Sequence, residues 1–132
     1  MTFGESDLEQ LATIREIEVE THSKAGEMHR TIVWPLVRHG VVYLRSFHGP
    51  DGRWYREALA DPEIALVIKG RRVPARAVSA PDDDSVEACS AALREKYRRS
   101  YSLAAMLAPA TLPTTLRIEP ARQPATAGST RS

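Results

Sequence analysis

From Arg15 onward polar and apolar side chains alternate: Ile17, Val19 and Thr21 share one side, Glu16, Glu18, Glu20 and His22 the other. A period of two is that of a half-exposed strand, so a first strand is predicted with its glutamates outward. Lys24-Ala25-Gly26-Glu27 supplies a turn, and residues 28–37 then read as one strand with both faces largely apolar, hence buried on both sides. His39-Gly40 predicts a tight hairpin into residues 41–47, because glycine takes the positive φ that a two-residue turn demands. His48-Gly49-Pro50-Asp51-Gly52 is a loop by composition, followed by a two-turn helix over 53–60 that Asp61-Pro62 must end. The β-branched run 64–68 turns at Lys69-Gly70 and returns over 72–79 as its antiparallel partner.

Helical signals flank these strands. Ser6 and Glu9 have capping-box spacing, which predicts a short helix from Asp7 toward Thr13. Asp82-Asp83-Asp84-Ser85 puts acid where a helix dipole favours it, so a helix should run from Val86 to about Tyr97 and, through a break, to Met106. Residues 115–118 alternate as a last strand. Six strands in antiparallel hairpins, with helices at start, middle and end, argue for a mainly β fold of the α+β class, a small antiparallel barrel with helical plugs.

At 132 residues the chain suits one core, so a single domain over 1–120 is expected. Residues 121–132 are rich in Pro, Ala, Thr, Gly and Ser and read as a disordered tail. Eighteen Lys and Arg stand against seventeen Asp and Glu, which removes any long-range pull toward nucleic acid or acidic membrane; an anion site must be local. The lone Cys89 excludes an intrachain disulfide framework. The N-terminus lacks a secretory pattern and no apolar run approaches the roughly 20 residues of a membrane span, so a soluble cytoplasmic protein is expected.

Apolar strands beside a glycine loop that carries arginine suit a flat, phosphate-bearing cofactor. A phosphate dianion needs several charge-assisted donors, and arginine offers a planar fork; Arg30 and Arg53 are the first candidates. Arg45 alternates with Tyr43 and Phe47, so its charge must meet either water or a site, while Lys24 sits in a turn where solvation is commoner. Trp34, Trp54 and Tyr55 offer faces for a planar ring, against the plainer alternative of core packing. Ser46 is a donor to ring or phosphate, or an ordinary strand serine bonded to its own backbone. The histidines at 22, 29, 39 and 48 show no metal-ligand spacing, and Cys89 lacks a neighbouring base, so neither a metal site nor a thiol nucleophile is expected. Arg94, Lys96, Arg98 and Arg99 with Tyr97 and Tyr101 form a basic, aromatic cluster that fits a phosphodiester, a cofactor tail or simply solvent.

The order strand, glycine turn, hairpin, glycine loop, Trp-Tyr helix, Asp-Pro and strand resembles the split-barrel flavin-binding superfamily, which includes pyridoxamine-phosphate oxidases and deazaflavin-dependent nitroreductases. Within it the chain is most similar, from about 7 to 120, to an actinobacterial-type domain family of unknown function. The carrying pieces are Tyr43-Leu44-Arg45-Ser46, Gly49-Pro50-Asp51-Gly52-Arg53-Trp54-Tyr55, Arg94-Glu95-Lys96-Tyr97 and Thr114-Thr115-Leu116-Arg117. The oxidases place a Ser-Arg-Lys loop eight residues before a proline; counted back from Pro62 that is Gly52-Arg53-Trp54, with the arginine kept and its neighbours replaced. The nitroreductases' Lys-Ser-Gly-Lys-x-Arg is matched loosely by Lys24, Gly26 and Arg30, and their Trp-Tyr by Trp54-Tyr55. The resemblance implies a six-stranded antiparallel split β-barrel and a homodimer. It also implies flavin mononucleotide (FMN) or a deazaflavin held by Lys24, Arg30, Trp34, Arg45, Ser46, Arg53, Trp54 and Tyr55, and two-electron chemistry on a small organic substrate. A ligand-storing or sensing module for a flavin-like or haem-like group is the alternative, since no acid, base or nucleophile stands out. A nucleic-acid accessory domain is disfavoured by the net charge.

Overall fold

Trp34-Pro35 divides the long apolar stretch in two, so that seven strands form where six are expected. A computed structural model describes residues 3–121, and its strands are β1 (Ile17–His22), β2 (Met28–Val33), β3 (Leu36–Arg38), β4 (Val41–Leu44), β5 (Glu63–Ile68), β6 (Arg71–Ser79) and β7 (Leu116–Pro120). Proline has no amide hydrogen for a ladder, which is why the pairing stops there. The strands form one antiparallel sheet in the order β2-β1-β5-β6-β7-β4-β3. Its two edges, β2 and β3, are thus joined by only two residues. Three Cα steps span at most about 11 Å, so the sheet has to curl until its edges meet, which is the split barrel.

Both expected tight turns form. His39 and Gly40 have φ of 51° and 77°, Lys69 and Gly70 have 50° and 81°, the doubly positive pattern of a type I′ turn matched to strand twist. The first helix, α1 (Glu5–Thr13), starts earlier than expected at Gly4, so Ser6 lies inside it and the Ser6/Glu9 capping box is not used. α2 (Arg53–Ala60) buries Trp54, Tyr55 and Ala58 and stops at Asp61 before Pro62. α3 (Asp83–Lys96) is capped as its acids suggest: the Ser85 amide donates to Asp82 Oδ2 at 3.0 Å. It ends at Tyr97, and a separate single turn, α4 (Leu103–Met106), follows the break.

One apolar cluster fills the barrel around Val19, Leu44, Leu66 and Leu116, closed on one side by Leu11 and α2. A second, around Leu36, Tyr43, Leu93, Tyr97 and Met106, mortars α3 and α4 onto the β3–β4 hairpin. Glu20 departs from the outward glutamate row: it is 2% exposed, because Arg72 from β6 donates to its Oε2 at 2.7 and 3.0 Å and to its Oε1 at 3.2 Å, and Arg30 reaches Oε1 at 3.4 Å. Of the expected tail, residues 122–132 lie outside the described residues. Among the described residues no helix is long and apolar enough to cross a membrane.

Candidate functional site

Between the end of β2, the loop after β4, α2 and the α4 turn lies a cleft of about 340 Å³. Its walls are Ile32 and Val33 from β2, Trp34, Trp54, Phe47 and Met106; Thr31, His48, Ser102 and Glu16 add polar edges, and Arg45 is the most deeply buried charge in its lining. Large flat apolar surfaces with a few convergent polar groups are what a planar ligand requires.

Trp34 is held in place. Its ring stacks on Tyr97 with centroids 4.0 Å apart and planes 6° off parallel, and the Arg15 guanidinium lies 5.8 Å from Trp34 and 5.5 Å from Tyr97. Tyr97 is anchored in turn, its hydroxyl donating to the Arg15 carbonyl at 2.7 Å. The Pro35 carbonyl accepts from Lys96 Nζ at 2.6 Å, so the backbone beside the indole is also tied down.

Arg45 is 2% exposed, yet no carboxylate lies within ion-pair distance of it among the described residues. Its Nε donates to Thr115 Oγ1 at 3.0 Å, Nη1 to Ser90 Oγ at 3.0 Å and to the Met106 carbonyl at 3.2 Å, and Nη2 to the Val86 carbonyl at 3.0 Å. A guanidinium carries five N–H groups, so one is left over. Burial lowers its pKa from the ordinary value, the sign of a charge that neutral dipoles offset only in part.

The other expected residues are dispersed. Ser46 is fully buried; its hydroxyl donates to the Gly49 carbonyl at 2.7 Å and its amide to Thr114 Oγ1 at 3.1 Å, which shapes the loop that presents Phe47 and His48. A Cβ on Gly52 would collide with that same hydroxyl, so a side chain at this corner of the glycine loop would require Ser46 to shift. Arg53 starts α2 and reaches Thr31 Oγ1 at 3.4 Å, at the lip of the cleft. Tyr55 is buried behind Trp54, edge-on at 6.3 Å, and joins the barrel core. Arg30 lies one residue out of phase with Thr31 and is engaged by Glu20; Lys24 is exposed in the β1–β2 turn. The structure therefore gathers Trp34, Arg45 and Trp54 in the cleft with Arg53 beside it, and leaves Lys24, Arg30, Ser46 and Tyr55 outside its lining.

Several groups here are not foreseen from sequence. Thr31 and Val33 share the inward face of β2, which strand alternation alone would have shown, whereas Ser102 and Met106 arrive from the far end of the chain. His29 has a carboxylate partner: Glu57 from α2 sits 3.0 Å from its Nδ1 and accepts from Thr21 Oγ1 at 2.7 Å, a knot that pins α2 to the β1–β2 hairpin. Cys89 is buried with its thiol pushed up to about 11, which silences it as a nucleophile. No group of three His, Cys, Asp or Glu able to hold a metal occurs among the described residues.

A family described as uncharacterized proteins conserved in bacteria (DUF2255) matches residues 7–118. No curated protein matches the chain. Among solved structures, a putative pyridoxamine 5′-phosphate oxidase from Listeria innocua is similar with a TM-score of 0.65 at 13% identity, covering 89% of this chain and 92% of its own. The heme storage protein HutZ from Vibrio cholerae gives 0.63 at 12% identity, covering 93% of each chain. An F420-H2 dependent reductase gives 0.61 at 14% identity, covering 80% of this chain and 94% of its own. At these identities the likeness establishes the split-barrel fold.

Proposed function

Since the chain belongs to the DUF2255 family, and its fold is shared with a putative oxidase, a reductase and a haem storage protein, we propose that it binds a flavin or deazaflavin in the Trp34–Trp54 cleft as an oxidoreductase for a small organic substrate. The observation that carries this reading is Arg45, a buried cation with no carboxylate partner among the described residues, in the lining of an aromatic cleft. Buried cations without anions are rare, and an anionic ring or its phosphate would supply the missing charge. Trp34, Trp54, Val33 and Met106 offer faces to an isoalloxazine plane, and Arg53 and Thr31 add donors at the lip.

When bound, such a ring would supply the two-electron chemistry. The residues of the chain would orient it, keep water from its face and hold substrate against it. A volume of about 340 Å³ lies at the low end for small-molecule sites, and Ile32 and Phe47 at the rim are 62% and 47% exposed. A second copy of the chain closing over that rim would complete the site, which supports a homodimer.

His48 in the lining supports one rival, a haem-like ligand taken up without turnover, since imidazole is a common axial ligand. Titrating the protein separately with FMN, a deazaflavin and haemin, and following cofactor absorbance and tryptophan fluorescence, separates these. A flavin or deazaflavin spectrum that saturates, weakened more than tenfold in Trp54→Ala, is expected. A Soret band lost in His48→Ala, with no flavin response, would favour the rival; no response to any of the three would overturn the cleft as a cofactor site.

A further inference from the structure

The basic run at the end of α3 does not behave as one solvated face. Arg94 pairs with Glu87 at 3.5 Å, and Lys96 turns inward to donate to the carbonyls of Leu11 at 2.9 Å and Pro35 at 2.6 Å. Arg98 and Arg99 join Arg15, which precedes β1, around a second cavity of about 450 Å³ with Lys96, Tyr97 and Ser100 in its lining. No carboxylate lines this cavity, and none of its three arginines has a salt bridge among the described residues. Arginines on the sheet are treated differently: Arg30, Arg71, Arg72 and Arg76 each meet an acid within 4 Å. Glu16, next to Arg15 in sequence, lines the neighbouring cleft instead.

We propose that this cavity is an anion site for a small multivalent phosphate, such as a phosphate ester or a diphosphate. Several guanidinium forks around one concavity repel each other until an anion sits between them, and each fork fits two phosphate oxygens at once. The concave shape favours a compact anion over the extended backbone of a nucleic acid, which tracks a groove or stripe. The floor is rigid, because Tyr97 is stacked on Trp34 and hydrogen-bonded to Arg15, so binding would order few side chains beyond the arginines. The same stack is the wall between the two cavities, with Arg15 over both rings. A ring in the cleft and an anion here would therefore be neighbours, yet the anion site stands whether or not the cleft takes a flavin.

Calorimetric titration of the full chain with inorganic pyrophosphate tests this without any flavin. One saturable site is expected, weakened more than tenfold in Arg98→Ala/Arg99→Ala and unchanged in Arg76→Ala. Both arginines of the double variant are exposed, so its fold should survive, and circular dichroism checks that it does. Absence of saturable binding, or equal affinity in the double variant, would overturn the site. So would displacement of pyrophosphate by oligonucleotides with affinity growing with their length, which would identify a nucleic-acid surface instead.

Discussion

Glu20 and Arg45 are both 2% exposed, and the barrel accommodates these two buried charges in opposite ways. Glu20 is neutralised by arginines: Arg72 grips it bidentately and Arg30 assists, both with their own side chains about half exposed. Arg45 is surrounded by two hydroxyls and two carbonyls from α3, α4 and Thr115 just before β7, none of them charged. A pair whose cations reach water leaves little field behind, whereas a lone guanidinium in a low-dielectric interior keeps most of its potential. The contrast teaches where the molecule can attract an anion. Arginines on the sheet are matched to acids, whereas Arg45, Arg53, Arg15, Arg98 and Arg99, which have no salt bridge among the described residues, stand around Trp34, Trp54 and Tyr97.

Arg45→Met gives the largest expected effect. It removes four interior hydrogen bonds, although the Met106 carbonyl keeps the Thr111 hydroxyl at 2.8 Å, and loses a tie between three segments, which should cost about 4 kcal/mol of unfolding free energy in a urea titration. A loss below about 1 kcal/mol would mean that the cavity rehydrates and that the charge was not enclosed. Glu20→Gln should cost less, about 1–2 kcal/mol, because Arg72 and Arg30 can turn their heads into water. The hydrogen bond from Arg72 holds the Glu20 carboxyl below its ordinary 4.5 despite burial. A depressed carboxyl stabilises the fold above its unfolded pKa and ceases to as pH falls through the folded one. Acid unfolding below about pH 4.5 should therefore be shallower in Glu20→Gln than in the parent, and identical acid profiles would show that the clamp carries no stability.

How much of this could be read along the chain follows from how local each cause is. The hairpins at His39-Gly40 and Lys69-Gly70 depend on two adjacent residues, and both form where glycine places them. The break at Trp34-Pro35 was written in the proline, but the apolar run on either side masked it. Glu20 looked solvent-facing because its row of alternating glutamates is local, while its partner Arg72 stands 52 residues away. Arg45 is the same problem inverted: every acceptor it uses lies at least 41 residues downstream, so the strand itself could show a charge without saying what would surround it. The tryptophans of the cleft were legible as flat surfaces; the cavity between them is a property of the curled sheet.

Lys96 is a half-buried cation, and unlike Arg45 it can escape its charge. Its ammonium has only carbonyl acceptors and the Tyr97 ring 5.3 Å away, and burial brings its pKa down from 10.5 to about 8. A lysine depressed in the fold binds fewer protons than its unfolded counterpart between those two values, so stability should rise as pH climbs from 8 to 10.5. That span would be worth roughly 3 kcal/mol for a fully enclosed amine, and the partial exposure of Lys96 reduces it to about 1 kcal/mol. Tyr97 acts in the opposite sense, since burial raises its hydroxyl and the fold loses stability as pH rises through the ordinary value of 10, but it does so in parent and variant alike. Other lysines and tyrosines do titrate there, so the telling quantity is the difference between the parent and Lys96→Met in urea unfolding at pH 8 and pH 10.5. The parent should gain on the variant by about that amount, since methionine fills the space with no proton to lose. Parallel profiles would mean that the two carbonyls hold the ammonium charged throughout, and Lys96 would then belong with Arg45 as a permanent cation beside the cleft.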